Sequence, residues 1–165
     1  IQADGAEADD IIGVLCNYTS ENTLIASRDE DFYQLHILDH VNQYNIIDKK
    51  FVKLTPEESK KSLLEKIVRG DGGDGVPNIF SVDNSFVEKI RQKSVSTKLV
   101  EEWKEYYYRG IDWKEFVPTE HHINFDRNKT LIDLSCTPVH IKQAIIDKYN
   151  SESNKDRSKL FNYFE

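Results

Sequence analysis

Three acidic clusters fall in the first half of the chain: Glu7-Ala8-Asp9-Asp10, Asp29-Glu30-Asp31 and Asp71-Gly72-Gly73-Asp74. Each follows an apolar or helical segment, so each is presented at the end of an element, where carboxylates meet across a fold. Carboxylates held close together repel one another and resist desolvation, so a fold tolerates such a group when cations neutralise it. An all-oxygen donor set selects hard Mg²⁺ or Mn²⁺. Taken singly, each cluster also has a structural reading. Glu7 and Asp10 suit the first turn of a helix, and Asp71 and Asp74 suit a turn bonded to nearby amides.

The order of elements points to an α/β class. Residues 8–17 predict a helix with Ile11, Ile12 and Leu15 on one face. Leu24-Ile25-Ala26-Ser27 predicts a short buried strand that ends at the Asp29 cluster, which suits a mostly parallel sheet whose site lies outside the carboxyl ends of its strands. Residues 41–47 and 51–54 predict two strands around the turn Asp48-Lys49-Lys50. Thr55-Pro56-Glu57-Glu58 is a helix start, with Thr as N-cap, Pro at the first position and Glu58 closing a capping box; that helix should stop at Gly70. Residues 84–93 and 95–109 predict two further helices, and Pro138 starts another that runs to Tyr149.

A length of 165 residues with 38% hydrophobic content suits one domain, or a domain with a helical annex. No apolar run reaches the roughly 20 residues that span a bilayer, and no signal-peptide pattern opens the chain. Cys16 and Cys136 are too few and too distant for a disulfide framework and are expected to be reduced core thiols. The sequence contains no Met and begins with Ile, so it is expected to be the later part of a longer polypeptide. Charge is segregated. Residues 1–31 carry eight acids and one base, whereas residues 49–98 carry eleven bases and seven acids. An acidic pocket beside a basic region suits a polyanion held by its backbone while one phosphate is drawn onto cations; solvated Lys/Glu helix faces are the alternative.

The most specific local signal is residues 70–79, Gly-Asp-Gly-Gly-Asp-Gly-Val-Pro-Asn-Ile, in which four glycines permit positive φ and close backbone approach. GAEADDIIGVL, SRDEDFYQL and GDGGDGVPNI, in that order, resemble the 5′ nuclease family of flap endonucleases, polymerase 5′ nuclease domains and phage RNase H-type exonucleases. Asn128-Lys129-Thr130-Leu131-Ile132-Asp133-Leu134 followed by a Pro-initiated helix brings the phage RNase H-like branch nearest.

That resemblance implies a PIN-like, Rossmann-like core, here its carboxyl-terminal part over residues 1–54. It implies a helical region over residues 55–165, with a helix-three-turn-helix DNA-binding module at about 55–109. It also implies metal ligands at Glu7, Asp9, Asp10, Asp29, Asp31, Asp71 and Asp74. Of these, Asp9, Asp29, Asp31 and Asp74 are expected to coordinate two Mg²⁺ or Mn²⁺ ions directly, with Glu7 and Asp10 direct or through water. Two ions about 3.5 to 4 Å apart activate a water and stabilise both the phosphorus-centred charge and the leaving oxygen, so no covalent nucleophile is needed. The backbone of Gly70, Gly72, Gly73, Gly75 and Val76 is expected against one strand's phosphates, in the family often with K⁺. Lys89, Arg91, Lys93 and Lys98 are expected to fix register without reading sequence.

The activity implied is metal-dependent 5′→3′ exonuclease or flap cleavage, removing RNA primers and flaps in DNA replication, in the cytoplasm of a bacterial or phage-infected cell. The substrates would be duplex or flap DNA and RNA/DNA hybrids with a 5′ end. The sequence departs from the common pattern after Val76-Pro77, where Asn78-Ile79-Phe80-Ser81 replaces a Gly-x-Lys-Thr-Ala helix start, putting K⁺ in doubt. In the family a first strand with an early metal-binding Asp, and a basic arch, precede the EADD motif. A non-catalytic DNA-binding fragment that requires this upstream portion as its partner is therefore the alternative. A Ca²⁺-binding domain is disfavoured, since no 12-residue loop with alternating ligands is present. Trp103, Tyr106 and Tyr107 are expected in the core, and His121-His122, read as extended, in packing or surface roles. The tail Asn162-Tyr163-Phe164-Glu165 is a candidate recruiter of a single-stranded DNA-binding protein.

Overall fold

The computed structural model describes residues 1–153; the 162–165 tail lies outside them. Helix α1 (Ala8–Tyr18) leads into strand β1 (Thr23–Ala26), a 3₁₀ segment (Glu30–Ile37), and strands β2 (Val41–Asn45) and β3 (Lys50–Val52). Helices α2 (Pro56–Arg69), α3 (Thr97–Tyr108), α4 (Trp113–Phe116), α5 (His122–Ile132) and α6 (Val139–Ser153) follow. The architecture is α/β. Among the described residues the sheet is small and mixed: β1 pairs parallel with β2 from Thr23↔Val41 to Ala26↔Tyr44, and β3 returns antiparallel on β2.

Two apolar cores form. Cys16, Ile25, Phe32, Leu35 and Val41 pack between α1, the sheet and the 3₁₀ segment. The larger core joins Leu64, Ile67 and Val68 of α2 to Val100, Trp103, Phe125 and Ile132, with Tyr106 and Tyr107 packed against it. Leu64, Ile67 and Val68 sit at helical i, i+3, i+4 spacing and are fully buried, each contributing roughly 1.5–3 kcal/mol. Cys16 is buried and Cys136 half-buried, both as free thiols.

The capping box on α2 forms as its sequence requires: Thr55 Oγ1 accepts from the Glu58 N–H at 3.2 Å, and Glu58 Oε2 accepts from the Thr55 N–H at 2.8 Å. At the other end three of the last carbonyls have partners. The Lys66 carbonyl accepts from Gly70 N–H, that of Val68 from Ile79 N–H, and that of Ile67 from the buried Asn128 side chain at 2.8 Å.

Residues 84–93 are not the expected helix. Ser85 N–H bonds to Val82 O, Glu88 N–H to Asn84 O and Ile90 N–H to Ser85 O, a set of turns without a continuing ladder, and Lys89 sits at φ +55°. Side chains hold the segment: Asn78 Nδ2 donates to Lys93 O at 2.9 Å, Ser81 Oγ accepts from Lys93 N–H at 2.9 Å, and Gln92 Oε1 accepts from Asn78 N–H at 2.8 Å. Such side-chain bonds compete with a helical backbone ladder. Lys89, Arg91 and Lys93 therefore lie on an irregular segment, and only Lys98 is on a helix, α3. His121 and His122 are likewise not extended. They close a 3₁₀ turn and open α5, stacking edge-on to Phe80 and Trp113 respectively, which is a packing role.

Asn128 Nδ2 also donates to Pro77 O at 2.9 Å, tying α5 to the glycine loop. Asn128→Ala leaves two carbonyls without this donor. It is expected to lower unfolding free energy by about 2–4 kcal/mol, read as a reduced urea midpoint at unchanged slope.

Candidate metal centre

The acidic clusters converge. Carboxylate oxygens of Asp9, Asp29 and Asp31 lie within 4.8 Å of one another, and so do those of Asp31, Asp71 and Asp74. Asp31 belongs to both groups. The three elements that deliver them are the first turn of α1, the loop leaving β1, and the turn that ends α2. A groove of about 580 Å³ opens beside them, with Val76, Leu131 and Pro138 on its walls.

Each acid is held by local chemistry. Asp29 caps the 3₁₀ segment, its Oδ1 accepting from Asp31 N–H at 3.0 Å, which fixes the two carboxylates relative to each other. The carbonyl of Asp29 is itself gripped by the buried Gln43 side chain of β2 at 2.7 Å, and that of Ser27 at 2.9 Å. Asp71 Oδ1 accepts from Gly73 N–H at 2.8 Å, and the Asp71 backbone pairs both ways with Val76. Gly70 opens this turn at φ +73°, where an added Cβ would stand 2.3 Å from Val76 O; no other residue fits. Gly75 also has φ +73°, whereas Gly72 and Gly73 are exposed without that requirement.

Glu7 and Asp10 line the groove but belong to neither group of three. Asp10 Oδ2 accepts from Glu7 N–H at 3.1 Å, the N3 position of a capping box, and its Oδ1 accepts from Thr137 Oγ1 at 2.8 Å, which ties α1 to the start of α6.

Burial raises the Asp9 carboxyl above its usual value, and the neighbouring Asp29, Glu7, Asp74 and Asp10 raise it further. Asp71 is lowered by its bond from Lys66. Lys66, in the last turn of α2, lies against Asp31 Oδ1 and is 2.8 Å from Asp71 Oδ2. Asp31 Oδ1 is out of solvent and accepts no hydrogen bond of ordinary geometry among the described residues. Two all-carboxylate triads joined at Asp31, an all-oxygen donor set, fit hard divalent cations. Lys66, Gln43 and Thr137 are the contributors that sequence reasoning missed. Only Lys66 left a trace, as a base one turn before the acidic loop.

Residues 57–165 match the family model described as T4 RNase H, C terminal. The chain belongs to this family. It is 33% identical over 169 residues, covering 98% of its length, to "Ribonuclease H" of Enterobacteria phage T4, and it spans 54% of that relative, about half. The resemblance to phage RNase H-type 5′ nucleases read from the three motifs is thereby borne out. No helix among the described residues is long and apolar enough to cross a membrane.

The strut that fixes Asp29 contains a titratable ring. Leu54 N–H donates to His36 Nδ1 at 3.0 Å, so Nδ1 is unprotonated and Nε2 donates to Gln43 Oε1 at 3.1 Å. Burial lowers the His36 pKa from 6.5, and Lys53 lowers it further. The unfolded chain thus takes the proton first as pH falls, so this contribution to stability is complete above about pH 6.5 and is lost progressively below it. Thermal melts stepped downward from that pH should show a falling midpoint whose steepness is reduced in His36→Gln.

Proposed function

We propose that this chain supplies most of the metal-binding apparatus of a 5′→3′ exonuclease or flap endonuclease, one that hydrolyses phosphodiester bonds at 5′ ends and removes RNA primers and flaps during replication. The observation that carries this reading is the pair of carboxylate triads sharing Asp31 at the carboxyl end of β1. Asp9, Asp29 and Asp31 would hold one divalent ion, and Asp31, Asp71 and Asp74 a second. Bound there, Mg²⁺ or Mn²⁺ supplies Lewis-acid stabilisation of charge on phosphorus and a water of lowered pKa.

The chain's own residues do the positioning. Asp29 and Asp31 are set by their shared N–H bond and by Gln43, Asp71 by its turn, and Asp10 by Thr137. Glu7 and Asp10 would reach the ions directly or through water. Residues 1–54 read as part of a PIN-like catalytic core and residues 55–165 as the helical region, a division supported by the two separate apolar cores.

In this reading α2, the glycine loop and α3 form the helix-three-turn-helix grip, its second helix starting at Thr97. Exposed backbone at Gly72, Gly73 and Gly75 would face duplex phosphates, and the exposed Lys89, Arg91, Lys93 and Lys98 that follow it in the chain would add phosphate contacts. The loop is a poor fit for K⁺, since its Val76, Pro77, Ile79 and Ser81 carbonyls already accept protein hydrogen bonds.

A second reading rests on β1, which is an edge strand among the described residues. Beside it a groove of about 470 Å³ runs along Ile12, Cys16, Ile25 and Phe32 to Asp9 and Asp29. A further strand of the same nuclease, ending in an acid, would fill this groove and complete the first triad. Without it the chain would grip DNA without cutting.

Cleavage of a 5′-labelled flap or nicked duplex, with and without Mg²⁺, tests both. Metal-dependent release of short 5′ products, lost to background in Asp31→Asn, is the expected outcome. Duplex binding with no cleavage at any Mg²⁺ concentration would assign the chain to the second reading.

A further inference from the structure

Two triads that share one carboxylate are not electrostatically alike. In the first triad Asp9 and Asp29 make no ion pair among the described residues, and only the shared Asp31 touches a base. The Asp31–Asp71–Asp74 side contains one, the Lys66 ammonium, in ionic contact with Asp31 Oδ1 and with Asp71 Oδ2. Lys66 is carried on the last turn of α2, whose backbone is fixed by the buried Leu64, Ile67 and Val68, so the ammonium is delivered by a rigid element. Its side chain is only 28% exposed, and those of Asp31 and Asp71 are 20% and 19% exposed, which limits screening of the contact.

From this asymmetry we infer that Lys66 is the resident counter-cation of the second triad: a divalent ion enters there only by displacing the ammonium, and Lys66 thereby makes the second ion the weaker-held of the two. The inference rests on the two-ion reading above and deepens it. With the second ion absent, Lys66 neutralises Asp31 and Asp71 and keeps the glycine loop docked on the end of α2. An ion bound there would release the ammonium on its four-carbon stem beside Asp31 and Asp71, leaving a positive charge next to the acidic cluster. Methionine at this position keeps the length and removes the charge. Arginine keeps the charge.

The test is a Mn²⁺ titration of the whole chain, free Mn²⁺ being read by electron paramagnetic resonance, on wild type, Lys66→Met and Lys66→Arg, with folding checked by circular dichroism. Wild type is expected to show one tighter and one weaker class of site. In Lys66→Met the weaker class should tighten by about tenfold or more, and the metal-free melting temperature should drop and be regained on adding Mn²⁺. Lys66→Arg should titrate like wild type. Unchanged or weakened Mn²⁺ binding in Lys66→Met would overturn the inference, as would tightening in Lys66→Arg equal to that in Lys66→Met. Either result would leave the nuclease reading standing, provided wild type binds Mn²⁺. No Mn²⁺ binding by any of the three would overturn both.

Discussion

Mutual repulsion among six aspartates is the constraint around which this fold is arranged. Asp9, Asp10, Asp29, Asp31, Asp71 and Asp74 arrive from separate elements and are held by backbone amides, a threonine hydroxyl and one lysine. Asp31 is where the two groups meet. It is shared by both triads, partly buried, and has one oxygen without an ordinary hydrogen bond. Its position is set by the 3₁₀ segment that Asp29 caps, and that segment packs on α2, so the rigidity of the α2 interface fixes the spacing of the carboxylates. Strain of this kind is costly to a fold and persists at functional sites, where a ligand absorbs it.

The end of α2 joins the two halves of the molecule. Its last carbonyls bond to Gly70, Ile79 and Asn128, and its last lysine reaches the acids. From α5, Asn124 donates to Ile79 O and Ser81 O, Arg127 to Pro77 O, and Asn128 to Pro77 O. The glycine loop is thus gripped from behind by side chains of a distant helix. Its outer face, Gly72 to Gly75, carries Asp74 and lies exposed. A loop so braced presents its amides without the ordering cost a mobile loop would incur on binding a phosphate backbone.

Local chemistry made much of this legible in the sequence. The capping box at Thr55, the stop at Gly70 and the turn between β2 and β3 each follow from a few neighbouring residues, and each forms; the strand β1 forms too, but at the sheet edge with Ile25 buried and Leu24 exposed, not as the buried strand its apolar run predicts. The three clusters pointed to convergence because like charges placed at element ends require a shared purpose. What could not be read depends on partners far apart in the chain. Residues 84–93 have helical spacing of Phe86, Val87 and Ile90, yet Asn78 and Ser81 hold Gln92 and Lys93 in an irregular path. Lys66 looked like any solvated lysine on an amphipathic helix until Asp31, on another element, was placed beside it. Thr137 meets Asp10 across 127 residues, which no spacing rule anticipates, and that bond is what separates Asp10 from the two triads.

The charge layout also sets how a polyanion would approach. The groove is negative, and at low divalent ion concentration it would repel a phosphate backbone over roughly a Debye length, about 8 Å at physiological salt. The exposed Lys89, Arg91, Lys93 and Lys98 follow the glycine loop in sequence and lie outside both triads, so under the proposed reading they would hold the backbone without taking part in charge compensation of the acids. Under that reading salt would weaken backbone binding through the exposed lysines and arginine, whereas metal loading would depend on carboxylates that are partly shielded from solvent. Among the described residues Lys66 is the base in ionic contact with the triads, which sets it apart from the exposed bases after the glycine loop.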